Sequence, residues 1–134
     1  SGYDYILIDC PPALNLFMVN AVMAANQIII AVQTEHLALK GFSHLLDTLA
    51  TLEKHNPAIK KKAAVFTMVD NRRKLDQSIK AAVQELDLPT FQTEIRKGVE
   101  LAEASIKCQT IFEYSPNSKG TSDYRSLAAE IERH

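Results

Sequence analysis

A run of mostly apolar residues, Tyr3-Asp4-Tyr5-Ile6-Leu7-Ile8, closes on the carboxylate of Asp9, and Cys10-Pro11-Pro12 follows at once. Its hydrophobicity is continuous rather than alternating, which predicts a strand buried on both faces, as in a parallel sheet. An acid at the C-terminal end of such a strand stands where α/β folds place their ligands. A carboxylate there can hold a magnesium ion through water. The same acid can also do no more than cap the turn that follows. Pro11 and Pro12 stop the strand and force an extended turn.

A second polar stretch, Asp70-Asn71-Arg72-Arg73-Lys74, follows the apolar run Ala63–Val69. It reads either as a loop facing a ligand or as a solvated turn. The histidines (His36, His44, His55, His134) and the cysteines (Cys10, Cys108) show no metal-ligand spacing. Two cysteines so far apart fit a reduced, cytoplasmic chain. A net charge of −1 argues against a wholesale nucleic-acid binder but leaves room for a local basic patch. No apolar run reaches the length that crosses a bilayer, and nothing at the start reads as a signal peptide.

These groups need elements to hold them. The pattern predicts four strands, at residues 3–9, 27–33, 63–69 and 91–95. Helices are expected over 14–25, 39–55, 75–86 and 99–105, and a last one from a cap at Thr121 or Ser122 to about Arg133. Ile111 to Tyr114 reads as extended and 116–120 as a turn. Leu45, Leu46, Leu49 and Leu52 share one stripe; Ile79, Val83 and Leu86 share another. Strands alternating with helices imply βαβ units and a parallel, doubly wound α/β sheet. The 134 residues form one domain or part of one.

Four blocks now carry a resemblance. YDYILIDCPPAL resembles the Walker B and switch II segment of the ParA/Soj/MinD deviant-Walker ATPases. AVQTEHLALKGFSHLLDTL, FTMVDNRRKL and IRKGVELAEASIKCQTIFEYSPNSKGTSDYRSLAAEI resemble that family's later segments, in family order and over nearly the whole chain. The resemblance is closer to the partition ParA branch than to MinD. It implies a P-loop NTPase-like fold, with Asp9 as the Walker B acid orienting magnesium and Pro11 and Pro12 in switch II. It places Glu35 near the family's signature lysine, although a helix-start acid favoured by the helix dipole explains Glu35 equally well. It places Asp70 and Arg72 beside the adenine, and Ile95 and Arg96 in the loop closing over the base. Many relatives carry proline where Arg96 stands, so a base contact there would run through the backbone.

The family's glycine-rich loop, GxxxxGK[ST], is not in this sequence: Gly2, Gly41, Gly98 and Gly120 lie in no such motif. The chain is therefore expected to be the C-terminal half of the family's ATPase domain. ATP and magnesium would bind the full-length protein and neither would bind this chain tightly alone.

The resemblance also implies partners. Lys97 and Lys119 match positions where Soj-type proteins bind DNA without sequence preference, through phosphate neutralisation. Arg72 to Lys74 and Lys60 to Lys62 are further basic clusters, and each reads as well as solvated surface. Glu94 and Glu100 near Lys97 weaken its local field. The expected partners are the N-terminal half, a second copy in an ATP-dependent dimer, a ParB-like stimulating protein and nucleoid DNA. The last helix, with Asp123, Glu130 and Glu132 against Arg125 and Arg133, is too acidic for a lipid-surface helix, and Leu127, Ala128 and Ile131 are expected to dock it. Two other functions stay open: a relative positioning another cargo, such as a chemotaxis array or flagellum, and a non-catalytic binding module.

Overall fold

The computed structural model describes residues 2–11, 13–34 and 39–133. The chain divides into two compact units, 1–28 with 38–61 and 29–37 with 62–134. The fold is α/β with a parallel sheet, as the alternating pattern implies.

In the first unit, α1 (Leu16–Ala24) packs on α2 (Leu39–Glu53). The Asn15 side chain caps α1 by accepting the Met18 N–H at 3.2 Å. Met18 and Val22 are buried, as are Phe42 and Leu49. Of the predicted stripe on α2, Leu49 is fully buried and Leu45, Leu46 and Leu52 are half-buried. Asn56, buried just beyond α2, donates its side-chain amide to the carbonyls of Val22, Met23 and Ala25 at 2.8, 3.2 and 3.0 Å. Carbonyls at the end of α1, where the helical ladder runs out, gain a partner in this way.

Residues 3–9, predicted to be a buried strand, form neither strand nor helix and are exposed. Leu7 is 90% exposed. A strand exists through hydrogen bonds to neighbours, and among the described residues β1 and β2 pair with each other and not with this run.

In the second unit lies the sheet. β1 (Gln27–Gln33, its first two residues in the other unit) runs beside β2 (Lys61–Thr67). On the other edge of β2, residues 90–96 run parallel to it through isolated bridges, Ala64 to Thr90 and Val69 to Arg96. The predicted strand at 91–95 is thus a bridged run and not a continuous strand. Its partner explains why. Ala64 and Phe66 face the run, yet so does Val69, three residues on. That change of parity requires a flip in the backbone, and Met68 supplies it with φ of 57° in the left-handed region.

Val65, Phe91 and Ile95 form the core of this unit, with Ala63, Leu101, Leu127 and Ile131 packed against them. Leu127 and Ile131 therefore dock the last helix as expected, whereas Ala128 is exposed. α3 (Lys74–Gln84) buries Ile79 and Val83. It ends before Leu86, which is 38% exposed, and Leu88 fills the core instead. α4 spans Val99–Ile106.

Two further expectations change. Ile111–Tyr114 is a single helical turn, α5, and not extended, because Thr110 and Glu113 form a reciprocal capping box. The last helix, α6, starts at Lys119, ahead of the predicted cap. There Ser118 Oγ accepts the Thr121 N–H at 3.2 Å, and buried Thr121 points its hydroxyl to the Ser115 carbonyl at 2.6 Å.

Candidate functional site

Asp9 belongs to the first unit. Its exposed carboxylate stands at an open depression of about 320 Å3, lined by Ile8, Asp9, Cys10, Pro11, Phe17, Asn20 and Ala21. Pro11 is exposed beside it. Pro12 and Glu35 lie outside the described residues. Among the described residues no group of three or more His, Cys, Asp or Glu side chains could hold a metal. A lone accessible acid fits magnesium, which keeps most of its waters and needs one or two carboxylates beside substrate phosphates.

The polar loop after β2 belongs to the second unit, and its residues are organised. Asp70 accepts the Arg72 N–H at 3.1 Å and its guanidinium twice, Nε at 3.0 Å and Nη2 at 3.0 Å. The fork matches a carboxylate in plane. The Arg72 side-chain hydrogen bond lowers the Asp70 pKa to about 2, and the same pairing raises that of Arg72. Arg72 stays 90% exposed while so held, so its position is set without being buried.

Behind this loop stands Asp76, in the first turn of α3 and fully buried. Its Oδ2 accepts the Asp70 N–H at 2.8 Å and the Thr34 hydroxyl at 2.8 Å. Arg73 Nε lies 3.6 Å from its Oδ1, which has no hydrogen bond. Burial pushes the Asp76 carboxyl up, but the Asp70 amide, the Thr34 hydroxyl and the Arg73 charge together hold it below the usual carboxylate range. Thr34 follows β1 directly and is itself fully buried. An acid in the first turn of a helix after a polar loop was the only local signal for Asp76.

The 90–96 run is held by two acids of α6. Asp123 accepts the Arg96 backbone N–H at 3.1 Å and its Nε at 2.9 Å, with Nη2 on the other oxygen. Glu130, two turns on, accepts the N–H groups of Gln92 and Thr93 at 2.7 and 2.9 Å. Both acids are buried. Ile95 is buried in the core, so the side chain of that residue is not available to a ligand. The Arg96 guanidinium is engaged by Asp123, whose hydrogen bond raises its pKa.

Among the other cations, Lys80 is held by Glu94 at 2.7 Å and Asn71 at 3.0 Å. Lys97 is exposed just ahead of α4, and Lys119 is exposed as the first residue of α6. A Cβ on the neighbouring Gly120 would lie 3.1 Å from Leu101 Cγ, so the start of α6 sits close against α4. Lys97 and Lys119 therefore flank one helix pair. Among the described residues no helix is long and apolar enough to cross a membrane.

Comparison with known proteins places this arrangement. A family described as AAA domain matches residues 1–65. The chain is 38% identical over 132 residues to the sporulation initiation inhibitor protein Soj of Bacillus subtilis, covering 97% of this chain and 52% of that protein. It is 37% identical to the chromosome-partitioning ATPase Soj of Thermus thermophilus, covering 97% and 53%. With the chromosome partitioning protein ParA of Myxococcus xanthus the identity is 34%, covering 96% and 46%. The chain thus spans about half the length of the curated relatives it matches. Among solved structures, cobyrinic acid a,c-diamide synthase from Mycobacterium smegmatis superposes with a TM-score of 0.74 at 27% identity, over 94% of this chain and 45% of that one. The same enzyme with bound ADP and magnesium superposes at 0.73. With Soj and ParA proteins related to it over nearly its whole length and its fold that of a P-loop NTPase-like neighbour, the chain is ParA/Soj-like and matches the C-terminal half of those proteins.

Proposed function

We propose that this chain supplies the C-terminal half of the nucleotide site of an ATP-dependent DNA-partition switch. The observation that carries the reading is the continuous relation, over 97% of the chain, to proteins named as chromosome-partitioning Soj. In this reading Asp9 holds magnesium through water, and Pro11, Pro12 and Glu35 lie in the segments that face the phosphates. The clasped pair Asp70 and Arg72 borders the base, with Ile95 and Arg96 beside it through their backbone. The exposed acid of Asp9 and the preset geometry of Arg72 support these roles. ATP would close two protomers into a dimer, and Lys97 and Lys119 would then neutralise DNA phosphates. A ParB-like protein would stimulate hydrolysis and release, and the protein would work on the nucleoid in the cytoplasm.

The glycine-rich lysine loop that grips the triphosphate is not among these 134 residues. The reading is tested in a protein that joins this chain to a family N-terminal half bearing that loop. ATP hydrolysis is expected there, and Asp9→Ala is expected to reduce it to background. Undiminished hydrolysis by the Asp9→Ala protein would remove Asp9 from the site.

A further inference from the structure

Two backbone segments that the proposed site needs are far apart in sequence, and one buried oxygen joins them. Asp76 Oδ2 accepts the Thr34 hydroxyl and the Asp70 N–H, each at 2.8 Å. Thr34 is the residue directly before Glu35, and Asp70 is the residue that clasps Arg72. Both Thr34 and Asp76 are fully buried. The hydrogen bond to Thr34 is buried and the one to Asp70 partly so, and the acceptor they share is fully buried, so a loss at one end is felt there. The rest of the Thr34 environment strengthens the link. Its N–H donates to the Thr67 carbonyl at 3.2 Å, and its hydroxyl lies 3.3 Å from the carbonyl of Met68, the residue in left-handed conformation. The ends of β1 and β2 and the start of α3 thus meet at one carboxylate.

We infer that Asp76 is a positioning residue that makes the end of β1 and the Asp70–Arg72 loop take up their conformations together. Asp76 touches no ligand in this role. It sets the Asp70 main chain, Asp70 sets the Arg72 guanidinium, and Thr34 ties in the end of β1. The relevance to nucleotide rests on the proposed function above. The coupling itself does not, and it can be read without nucleotide.

The test is amide hydrogen exchange on the 134-residue chain, resolved to single residues. Thr34→Val removes one hydroxyl donor and keeps shape. The Asp70 N–H, 36 residues away in sequence, is expected to exchange about tenfold faster, the effect of weakening one net hydrogen bond. Asp76→Ala should raise exchange at Asp70 and Arg72 further, while amides of α6 keep their rates. An Asp70 amide that exchanges in Thr34→Val as in the parent overturns the coupling. A uniform rise across α6 and β2 in Asp76→Ala, with Thr34→Val silent at Asp70, would show that Asp76 supports the fold alone, and overturns it too. Failure of the nucleotide reading shows instead in ATP hydrolysis by the joined protein and leaves these rates untouched.

Discussion

Arg96 and Asp123 grip each other twice. The Arg96 backbone N–H and its Nε both donate to Asp123 Oδ2, at 3.1 and 2.9 Å. One carboxylate of α6 thereby fixes both the main chain and the side chain at the end of the 90–96 run. Asp123 is only 9% exposed at its side chain, whereas Arg96 is 42% exposed. Arg96→Ala should therefore cost more than a surface pair does, by about 1–3 kcal/mol, because the acid left behind is nearly buried. Urea unfolding checks this. A loss within error of zero would show that the backbone N–H alone satisfies Asp123.

A titration reads the Asp70 clasp. Asp70 has its pKa lowered from 3.8 to about 2, first by the Arg72 side-chain hydrogen bond. A depressed folded value stabilises the folded state above the unfolded value, so this contribution is complete above about pH 4. It is lost as pH falls toward 2. Carboxyl NMR should place the Asp70 midpoint near 2 in the parent and move it up toward the ordinary range in Arg72→Ala. An unmoved midpoint would mean that Arg72 does not hold the acid in solution.

DNA binding is expected to follow charge. In the joined, ATP-bound protein, reversing Lys97 and Lys119 to Glu should weaken binding equally for unrelated DNA sequences. It should also flatten the dependence of affinity on salt, since fewer counterions are released. Filter binding at several salt concentrations measures both. If the double variant binds as the parent does, Arg72 to Lys74 become the next candidates.

The chain alone should bind Mg-ATP weakly or not at all and show no hydrolysis. Phosphoryl transfer in this class depends on positioning and charge neutralisation, and the lysine loop that provides most of both is not in the sequence. Calorimetry with Mg-ATP on the 134 residues is the measurement. Tight, magnesium-dependent binding would reveal a phosphate site outside the residues assigned above.

Exposed apolar side chains in the first unit are expected to drive self-association. Ile6, Leu7, Leu16 and Phe17 are each more than 70% exposed, and apolar surface of this kind favours association. Light scattering of the chain alone should show the mean mass rising with concentration. A monodisperse monomer across a wide range would count against it.

The alternation of apolar runs and amphipathic stripes was enough to read β1, β2 and the helices α1 to α4, because burial of one face is written at local period. The blocks around Asp9, Asp70 and Lys97 were enough to read the family. Two local signals run against the apolar pattern around them. Thr110 with Glu113 is a capping box, and it makes a helical turn where the apolar Ile111-Phe112 suggests extension. Ser118 precedes α6 and caps it three residues before the expected place.

What the sequence by itself determined, then, is β1, β2 and the first four helices in their order, the likeness to ParA/Soj proteins and the types of residue brought to the loops. Tertiary structure alone decided which polar groups face inward. Asp123 and Glu130 read as solvent-facing acids of a charged helix, yet both are buried, bonded to backbone 27 and 37 to 38 residues away. Asp76 reads as an ordinary first-turn acid, yet it joins β1 to the loop after β2. The apolar run 3–9 reads as a buried strand, yet it is exposed. The reason is common to all four. A local pattern records what a residue prefers, whereas a buried hydrogen bond or a paired strand needs a partner that only the folded chain brings within reach.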